Sequence, residues 1–262
     1  MTQAAVGTQA HISVDEVSKH FGDGGDAVHA FGPTSFEIEA GAFVSLLGPS
    51  GCGKSTLLLM IAGLLPVTEG TIHVGGERVR HVRTDVGIMF QDSTLVPWRS
   101  VRGNVELQLE LRGLSPIIFR ERIDELLASV GLADFAHRRP YELSGGMQQR
   151  AAFCQAFVHS PPTLLLDEPL GKLDAMTRER IRADLQEQWR RTRPTVLLVT
   201  HSIEEAVQLS GKVCLITPRP GRLHGIIDID LPWPRDAEVK KSPEFVRYVN
   251  EIGDIFRGYG VI

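Results

Sequence analysis

The stretch "GPSGCGKST", residues 48–56, decides the fold of this chain. It contains the pattern GxxxxGK[ST], formed by Gly48, Gly53, Lys54 and Ser55. The short apolar run "AFVSLLG" (42–48) precedes it and is typical of a strand buried on both faces. The helical pattern "STLLLMIAGLL" follows it. A glycine loop between a buried strand and a helix predicts a phosphate-binding loop in an α/β domain.

The residue types of this loop suit a nucleoside triphosphate. Glycines let backbone N–H groups close around phosphates at the positive end of the following helix. Lys54 would reach the β and γ phosphates, and the Ser55 hydroxyl would ligate Mg²⁺. A structural glycine-rich turn is the alternative. The candidate ATP-binding segment is Gly48, Pro49, Ser50, Gly51, Cys52, Gly53, Lys54, Ser55 and Thr56.

The rest of the chain also predicts an α/β fold. Further apolar runs predict parallel strands, namely "TLLLDEP" (163–169), "TVLLVTH" (195–201) and "KVCLITP" (212–218). Residues 10–40 alternate apolar and polar and predict an N-terminal antiparallel β subdomain. Helical spacing predicts an α-helical subdomain at about 92–160, inserted in a domain over 10–230. A C-terminal extension, 231–262, carries one amphipathic helix.

Composition excludes several classes of function. Lys and Arg total 28 against 32 Asp and Glu, so the net charge of −4 argues against nucleic acid as a partner. The longest apolar run, "LLLMIAGLL", has about half the length needed to cross a bilayer, so we expect no membrane-spanning helix. Three widely spaced cysteines indicate neither a disulfide framework nor a zinc site.

Two acids end the run "TLLLDE". Asp167 stands at the end of a predicted strand, where a carboxylate can hold Mg²⁺ through water. Glu168 directly after it offers a general base to polarise an attacking water. A solvated acidic strand end is the alternative interpretation.

The stretch "LSGGMQQR", residues 143–150, is a second candidate anion site. Ser144, Gly145 and Gly146 are typical of a helix start, whose N–H groups attract anions. The chain's own phosphate loop does not need it. It therefore predicts a dimer in which this helix start faces the ATP of another chain.

Together these motifs resemble those of the ATP-binding-cassette (ABC) ATPases. "GPSGCGKST", "FQD", "LSGGMQQR", "LLLDEP" and "VTHSIEEAV" occur in that family's order, and the resemblance spans about residues 10–260. It implies a P-loop NTPase core of the RecA-like type. It further implies that Gln91 ligates Mg²⁺ and senses the γ phosphate, and that His201 contacts the γ phosphate and holds the attacking water.

The same resemblance assigns two more residues. Asp174 in "GKLDAMTR" matches the loop that crosses the dimer interface, and Phe21 in "VSKHFG" matches the aromatic residue that stacks on adenine. A plain core position is the alternative for Phe21. Ser202 stands where many members have aspartate, which could alter hydrogen bonding beside His201. Lys172 stands where many have alanine or serine.

The segment "STLVPWRSVRGNV" (93–105) indicates the kind of ABC protein. It is similar to the nitrate, sulfonate, taurine and bicarbonate importer ATPases, in which this surface receives a short helix of the membrane subunit. Trp98 would then be an interface anchor. Packing at a helix start is the alternative.

The resemblance implies the ATPase subunit of an importer, peripheral on the cytoplasmic face of the inner membrane. Its expected partners are a second ATPase subunit, transmembrane permease subunits and, indirectly, an extracytoplasmic solute-binding protein. Three alternatives remain open: a soluble ABC-type ATPase, the ATPase of an exporter, and a regulatory nucleotide-binding module. The presence of Glu168 and His201 argues against the last of these.

Overall fold

The computed structural model describes residues 12–22, 28–171 and 173–261. The strands in these ranges are β1 (Ile12–Phe21), β2 (Val28–Ile38), β3 (Phe43–Leu47), β4 (Glu69–Val74), β5 (Glu77–Arg78), β6 (Val86–Met89), β7 (Thr163–Asp167), β8 (Thr195–Thr200), β9 (Lys212–Ile216) and β10 (Leu223–Asp228). The helices are α1 (Lys54–Ile61), α2 (Val101–Glu110), α3 (Arg120–Ser129), α4 (Gly145–Phe157), α5 (Ala175–Thr192), α6 (Ile203–Leu209) and α7 (Pro243–Gly258).

The chain forms two compact units. The described residues up to Arg83 pack with those from Arg193 onward as the first unit, and Thr84–Thr192 form the second unit. Within the described ranges, each helix is too short or too polar to span a bilayer.

An antiparallel sheet in the first unit has the strand order β2-β1-β4-β5. β1 pairs antiparallel with both β2 and β4. Its apolar side chains Ile12, Val14 and Val17 are buried, as the alternating pattern requires of a sheet with one covered face. The predicted N-terminal antiparallel β subdomain is confirmed.

A parallel group in the first unit carries β3 between β8 and β9, and β10 pairs antiparallel with the outer side of β9. Every residue of β3 and β8 is buried, which explains their mainly apolar sequences. Leu47 stands opposite Thr200 on β8 and Leu215 on β9. The carboxyl ends of these strands therefore meet at one edge, which is where ligands bind in parallel sheets.

The second unit holds the parallel pair β6 and β7, with α2, α3 and α4 between them in the chain. Met89 on β6 stands opposite Leu166 on β7, so Gln91, just after β6, and Asp167, the last residue of β7, lie at the same edge. The apolar runs of the sequence do not by themselves predict β6. Its sequence "VGIM" is only four residues long and contains a glycine, so its pattern is weak. The exact bounds of the helical subdomain, 92–160, stay a prediction.

The C-terminal helix α7 covers one side of the first unit. Ser242 caps it by accepting a hydrogen bond from Phe245 N–H, and Pro243 occupies its first position. Its buried side chains Phe245, Ile252 and Phe256 join an apolar cluster with residues of α6 and β9. The amphipathic pattern predicted this helix, and the cluster explains the pattern.

Arg235 is buried where the chain approaches α7, with 1% of its surface exposed. Its guanidinium donates to four backbone carbonyls, those of Val207, Ser210, Ile229 and Leu231. Its Cζ lies 4.2 Å from the centre of the Trp233 ring. Burial lowers the pKa of Arg235 to about 10, so the group stays charged at neutral pH. One side chain thus joins the end of α6 to the chain that leads into α7.

Replacing Arg235 with methionine is expected to destabilise the protein by about 3 kcal/mol or more, because several buried carbonyls lose their donor. Arg257→Met is the matched control, since Arg257 is exposed and pairs with Asp254 on the surface. Its effect should stay within about 0.5 kcal/mol. The midpoint of urea unfolding measures both, and equal midpoints for the two variants would contradict the role given to Arg235.

Candidate nucleotide-binding site

The predicted site residues fall into two sets, one in each unit. The first unit carries Phe21, the loop Gly48–Thr56 and His201. The second unit carries Gln91, Ser144, Gly145, Gly146, Asp167, Glu168 and Asp174.

The phosphate loop connects β3 to α1, as predicted. Gly53, which precedes the helix, has φ 100°. This left-handed conformation suits glycine, and a Cβ here would lie 2.3 Å from the carbonyl oxygen of Ala30. Gly51 also has a positive φ, of 77°. Glycine at these positions is therefore required by the loop itself.

Lys54 lies over this loop, with 4% of its surface exposed. Its Nζ donates to the carbonyl oxygens of Gly48 and Pro49, both at 2.8 Å. The two bonds hold the ammonium group inside the ring of the loop. The first N–H groups of α1 stand beside it, and Gly53 at the N-cap has no side chain to cap them. A cation next to a helix N-terminus is suited to a phosphate.

Gly221, which the sequence motifs did not predict as a site residue, supports the phosphate loop from a segment distant in sequence. Gly221 N–H donates to the carbonyl of Cys52 at 3.1 Å, and its own carbonyl accepts from Gly32 N–H at 2.8 Å. A Cβ at Gly221 would lie 2.1 Å from the Cys52 oxygen. The Cys52 side chain is buried, and burial raises the pKa of its thiol. The sequence "PRPGR" indicates only a turn. No residue pattern in it predicts a contact with the loop at 48–56.

Phe21 ends β1 and leaves 44% of its surface exposed. The ammonium group of Lys19 lies 5.1 Å from the centre of its ring. Such exposure contradicts the alternative of a core position. An exposed aromatic face suits stacking with a base, and this role stays a prediction.

His201 follows β8 and is exposed at the strand edge. The turn that carries it is held from both sides. Ser202 N–H donates to the Thr200 hydroxyl at 3.0 Å, and the Ser202 hydroxyl accepts from Glu205 N–H at 3.3 Å to cap α6. The buried carboxylate of Glu205 hydrogen-bonds to the same Thr200 hydroxyl. Serine in place of aspartate therefore keeps a helix cap beside His201.

In the second unit, Gln91 meets Glu168. Gln91 Nε2 donates to Glu168 Oε2 at 3.0 Å, although 77 residues separate the two. Glu168 adopts φ 44°, a strained conformation for a residue other than glycine, of the kind that clusters at functional sites. Asp167 directly before it is buried, with 7% of its surface exposed. The structure thus brings the predicted sensor and the predicted base into contact.

The donor chemistry of the predicted metal ligands suits Mg²⁺. Hydroxyl, amide and carboxylate oxygens are the hard ligands this ion takes, usually together with water. Gln91 donates through its amide nitrogen, which leaves its Oε1 as the atom for a cation. Among the described residues, no three His, Cys, Asp or Glu side chains cluster as a metal site. A role for Ser55, Gln91 and Asp167 as magnesium ligands stays a prediction.

Ser144 begins α4 as predicted. Its hydroxyl accepts a hydrogen bond from Met147 N–H at 3.3 Å. A Cβ on Gly145 would meet no described atom within 4 Å, and one on Gly146 would only touch Leu173 at 3.6 Å. The fold of this chain therefore does not require either glycine. At Gly53, in contrast, a Cβ would clash with the backbone.

Two neighbours of this helix start were missed as structural residues. Gln149 is buried and donates through Nε2 to the carbonyl of Pro169 at 3.1 Å, directly after Glu168. Gln148 accepts from the Ser93 hydroxyl at 2.9 Å, directly after the segment of Gln91. The two glutamines in "LSGGMQQR" are visible in the sequence. Only the fold shows that they link α4 to the segments that carry the predicted base and the predicted sensor.

Asp174 precedes α5, and its Oδ1 accepts from Thr177 N–H at 3.0 Å. Hydrogen bonds from Thr177 lower the pKa of this exposed carboxyl, which favours its charged form. Lys172, two residues before it, lies outside the described residues. A role for Asp174 at a dimer interface stays a prediction.

A glycine loop between a buried parallel strand and a helix, with a lysine bound inside it, defines a P-loop NTPase of the α/β class. The family model for ABC transporters matches residues 31–171, more than half of the chain. This protein belongs to the ABC transporter family.

Relatives of known name agree with this placement. The taurine import ATP-binding protein TauB of Rhizobium johnstonii is 44% identical over 248 residues, which are 92% of this chain and 94% of that protein. The nitrate import ATP-binding protein NrtD of Synechocystis sp. is 40% identical over 257 residues, or 95% and 96% of the two chains.

Two solved structures agree with the fold. The dimeric structure of a bacterial ABC transporter cassette matches with a TM-score of 0.77 at 31% identity, over 84% of this chain and all of that one. The structure of a post-hydrolysis state of an ATP-binding cassette bound to ADP and phosphate matches with a TM-score of 0.76 at 31% identity, over 84% of this chain and all of that one. The predicted fold class is confirmed.

Proposed function

We propose that this chain is the ATP-hydrolysing subunit of an importer for a small anion of the nitrate, sulfonate or taurine class. The observation that carries the hydrolytic part is the hydrogen bond between Gln91 and Glu168 at the edge where β6 and β7 end. The similarity to proteins named for taurine and nitrate import supports the transport part.

In the proposed reaction, Lys54 and the N–H groups of the phosphate loop bind the phosphates of ATP. Ser55, Gln91 and Asp167 would hold Mg²⁺, which neutralises charge on the phosphates when it is bound. Glu168 accepts a proton from the attacking water, and His201 orients that water at the γ phosphate. Phe21 stacks on the adenine. The products are ADP and inorganic phosphate.

The freedom at Gly145 and Gly146 supports a dimer. Glycine weakens a helix by about 1 kcal/mol relative to alanine, and the surroundings of these two positions do not require it. Close approach by an outside group explains their presence. We propose that Ser144, Gly145 and Gly146 of one subunit contact the ATP held by the phosphate loop of the other, with Asp174 at the same interface. ATP binding then favours the closed dimer, and hydrolysis reopens it.

The loop of Trp98 supports a permease contact. Trp98 leaves 74% of its surface exposed, which contradicts the alternative of packing at the start of α2. The buried Asn104 holds this loop: its Oδ1 accepts from Val96 N–H at 2.7 Å, and its Nδ2 donates to the carbonyls of Arg99 and Ser100. A rigid loop that presents a bare aromatic side chain is typical of an interface anchor.

The test is a pull-down of tagged Glu168→Gln protein from detergent-solubilised membranes with ATP and Mg²⁺. We expect a permease at stoichiometric level, which would support the proposed position of the subunit on the cytoplasmic face of the inner membrane. Recovery of only soluble partners, or of none from intact protein, would favour a soluble ABC-type ATPase. The direction of solute movement in vesicles rebuilt with the recovered permease would separate an importer from an exporter.

Trp98→Ala in the same tagged protein is expected to lose the permease while ATP binding persists, because an exposed anchor often contributes 2 kcal/mol or more to an interface. The matched control is Phe135→Ala, an aromatic residue of the same unit with 39% of its surface exposed. Full permease recovery with Trp98→Ala would remove this loop from the interface. Thermal unfolding of both variants checks that each is folded.

A further inference from the structure

A cavity of about 450 Å³ opens in the first unit, between the end of α1, β4 and the segment after β5. Its walls are tied together through the backbone. Arg83 N–H donates to the carbonyl of Ala62 at 3.0 Å, and Val79 N–H donates to that of Ile72 at 2.8 Å. A Cβ on Gly63 would lie 2.0 Å from the carbonyl oxygen of His81, so glycine permits this close approach. The cavity is therefore preformed, and its volume lies in the range of small-molecule sites.

The floor of the cavity is apolar. The half-buried Leu65, Val67 and Val79 supply its apolar surface, and Met60 and Ile72, also in the lining, are almost fully buried. The carbonyls at the end of α1 are used elsewhere, since that of Met60 accepts from Gly63 N–H and that of Ala62 from Arg83 N–H. This surface favours a hydrocarbon group.

The rim is cationic. Arg78 and Arg80 both line the cavity, and both are exposed. Within the described part of the chain, neither guanidinium group makes a hydrogen bond or an ion pair, whereas that of Arg83 lies 3.1 Å from a Glu77 carboxylate oxygen. The lining contains no acid. Glu77 is bound to Arg83, and Glu69 accepts from the Ser18 hydroxyl at 3.1 Å. Two guanidinium groups thus remain for an external anion.

We propose that this cavity binds a small organic anion, with an apolar body against Leu65, Val67 and Val79 and a carboxylate or sulfonate head between Arg78 and Arg80. Guanidinium groups match such heads through paired N–H donors. The Thr71 hydroxyl, also in the lining, supplies a further hydrogen bond. The site is separate from the phosphate loop, because Met60 follows Lys54 by six residues, or about 9 Å along the helix.

The test uses hexane-1-sulfonate as the probe, with binding measured by isothermal titration calorimetry on the full chain. We expect a dissociation constant of about 1 mM or tighter. The double variant Arg78→Gln/Arg80→Gln should weaken binding at least about 10-fold, since each lost charge-assisted hydrogen bond is worth more than a neutral one. The control double variant Arg247→Gln/Arg257→Gln removes two exposed arginines of α7 and should bind as the wild type does.

Further experiments test separately the need for the charged head, the need for the apolar tail and the location of the site. Hexan-1-ol, which lacks the head group, and inorganic sulfate, which lacks the tail, should each bind at least about 10-fold more weakly. Val67→Phe should block binding by filling the cavity. Saturating ATP should not displace the probe, and Lys54→Ala should not weaken it.

Several results would overturn the proposal: no heat at millimolar probe, equal binding by the Arg78→Gln/Arg80→Gln and wild-type proteins, equal binding of hexan-1-ol, or displacement by ATP. These readouts do not depend on hydrolysis. A failure here therefore leaves the proposed ATPase function untouched, and a failure of that function leaves this site in place.

Discussion

Glu168→Gln protein is expected to bind ATP like the wild type and to hydrolyse it about 10²–10⁴-fold more slowly, the usual contribution of a general base. Glutamine keeps the shape of the side chain and can still accept the hydrogen bond from Gln91 Nε2. It cannot take a proton from water.

The measurement is steady-state phosphate release together with ATP affinity from equilibrium dialysis. Glu204→Gln is the matched control, because Glu204 is an exposed acid in the first turn of α6. It should hydrolyse ATP at the wild-type rate. If Glu168→Gln stayed within about twofold of the wild type, another group would have to serve as the base.

The Glu168 variant offers a second readout. Since ATP would persist between two subunits that cannot hydrolyse it, the variant should elute as a dimer with ATP and Mg²⁺, and as a monomer without nucleotide. An unchanged elution volume would argue against the role proposed for Ser144, Gly145 and Gly146.

Lys54→Ala is expected to weaken ATP binding by at least about 10-fold and to remove most turnover, because a charge-assisted contact to phosphate is worth about 1.5–3 kcal/mol. Two structural facts distinguish Lys54 from an exposed lysine. Its side chain is buried, and two carbonyls of the loop fix its ammonium group. The variant therefore loses a positioned charge rather than a mobile one.

Lys212→Ala is the control for charge alone. Lys212 is on β9, where its Nζ lies 3.4 Å from Glu39 and 3.8 Å from Asp228 on the surface. Its loss should leave ATP affinity unchanged. Thermal unfolding must show that Lys54→Ala protein is folded at the assay temperature. Normal turnover by folded Lys54→Ala protein would refute the assignment of the phosphate loop.

The elements that sequence predicted best are those whose signal is local. The buried strands β3, β8 and β9 appear as mainly apolar runs, because a strand covered on both faces has no polar side. Ser144 and Ser242 precede helices whose first N–H groups need an acceptor. The apolar pattern did not predict the short strand β6, because four residues are too few to show a clear periodicity.

The amino-acid sequence alone determined the phosphate loop, the order of its motifs, the class of fold and the family. Each depends on residue types at short, fixed spacing. Only the tertiary structure decided that Gln91 bonds to Glu168, that Gly221 supports the carbonyl of Cys52, and that Arg235 joins four carbonyls around α6. These contacts depend on which distant segments pack together. Packing is a property of the whole chain, so no local pattern of residues records it.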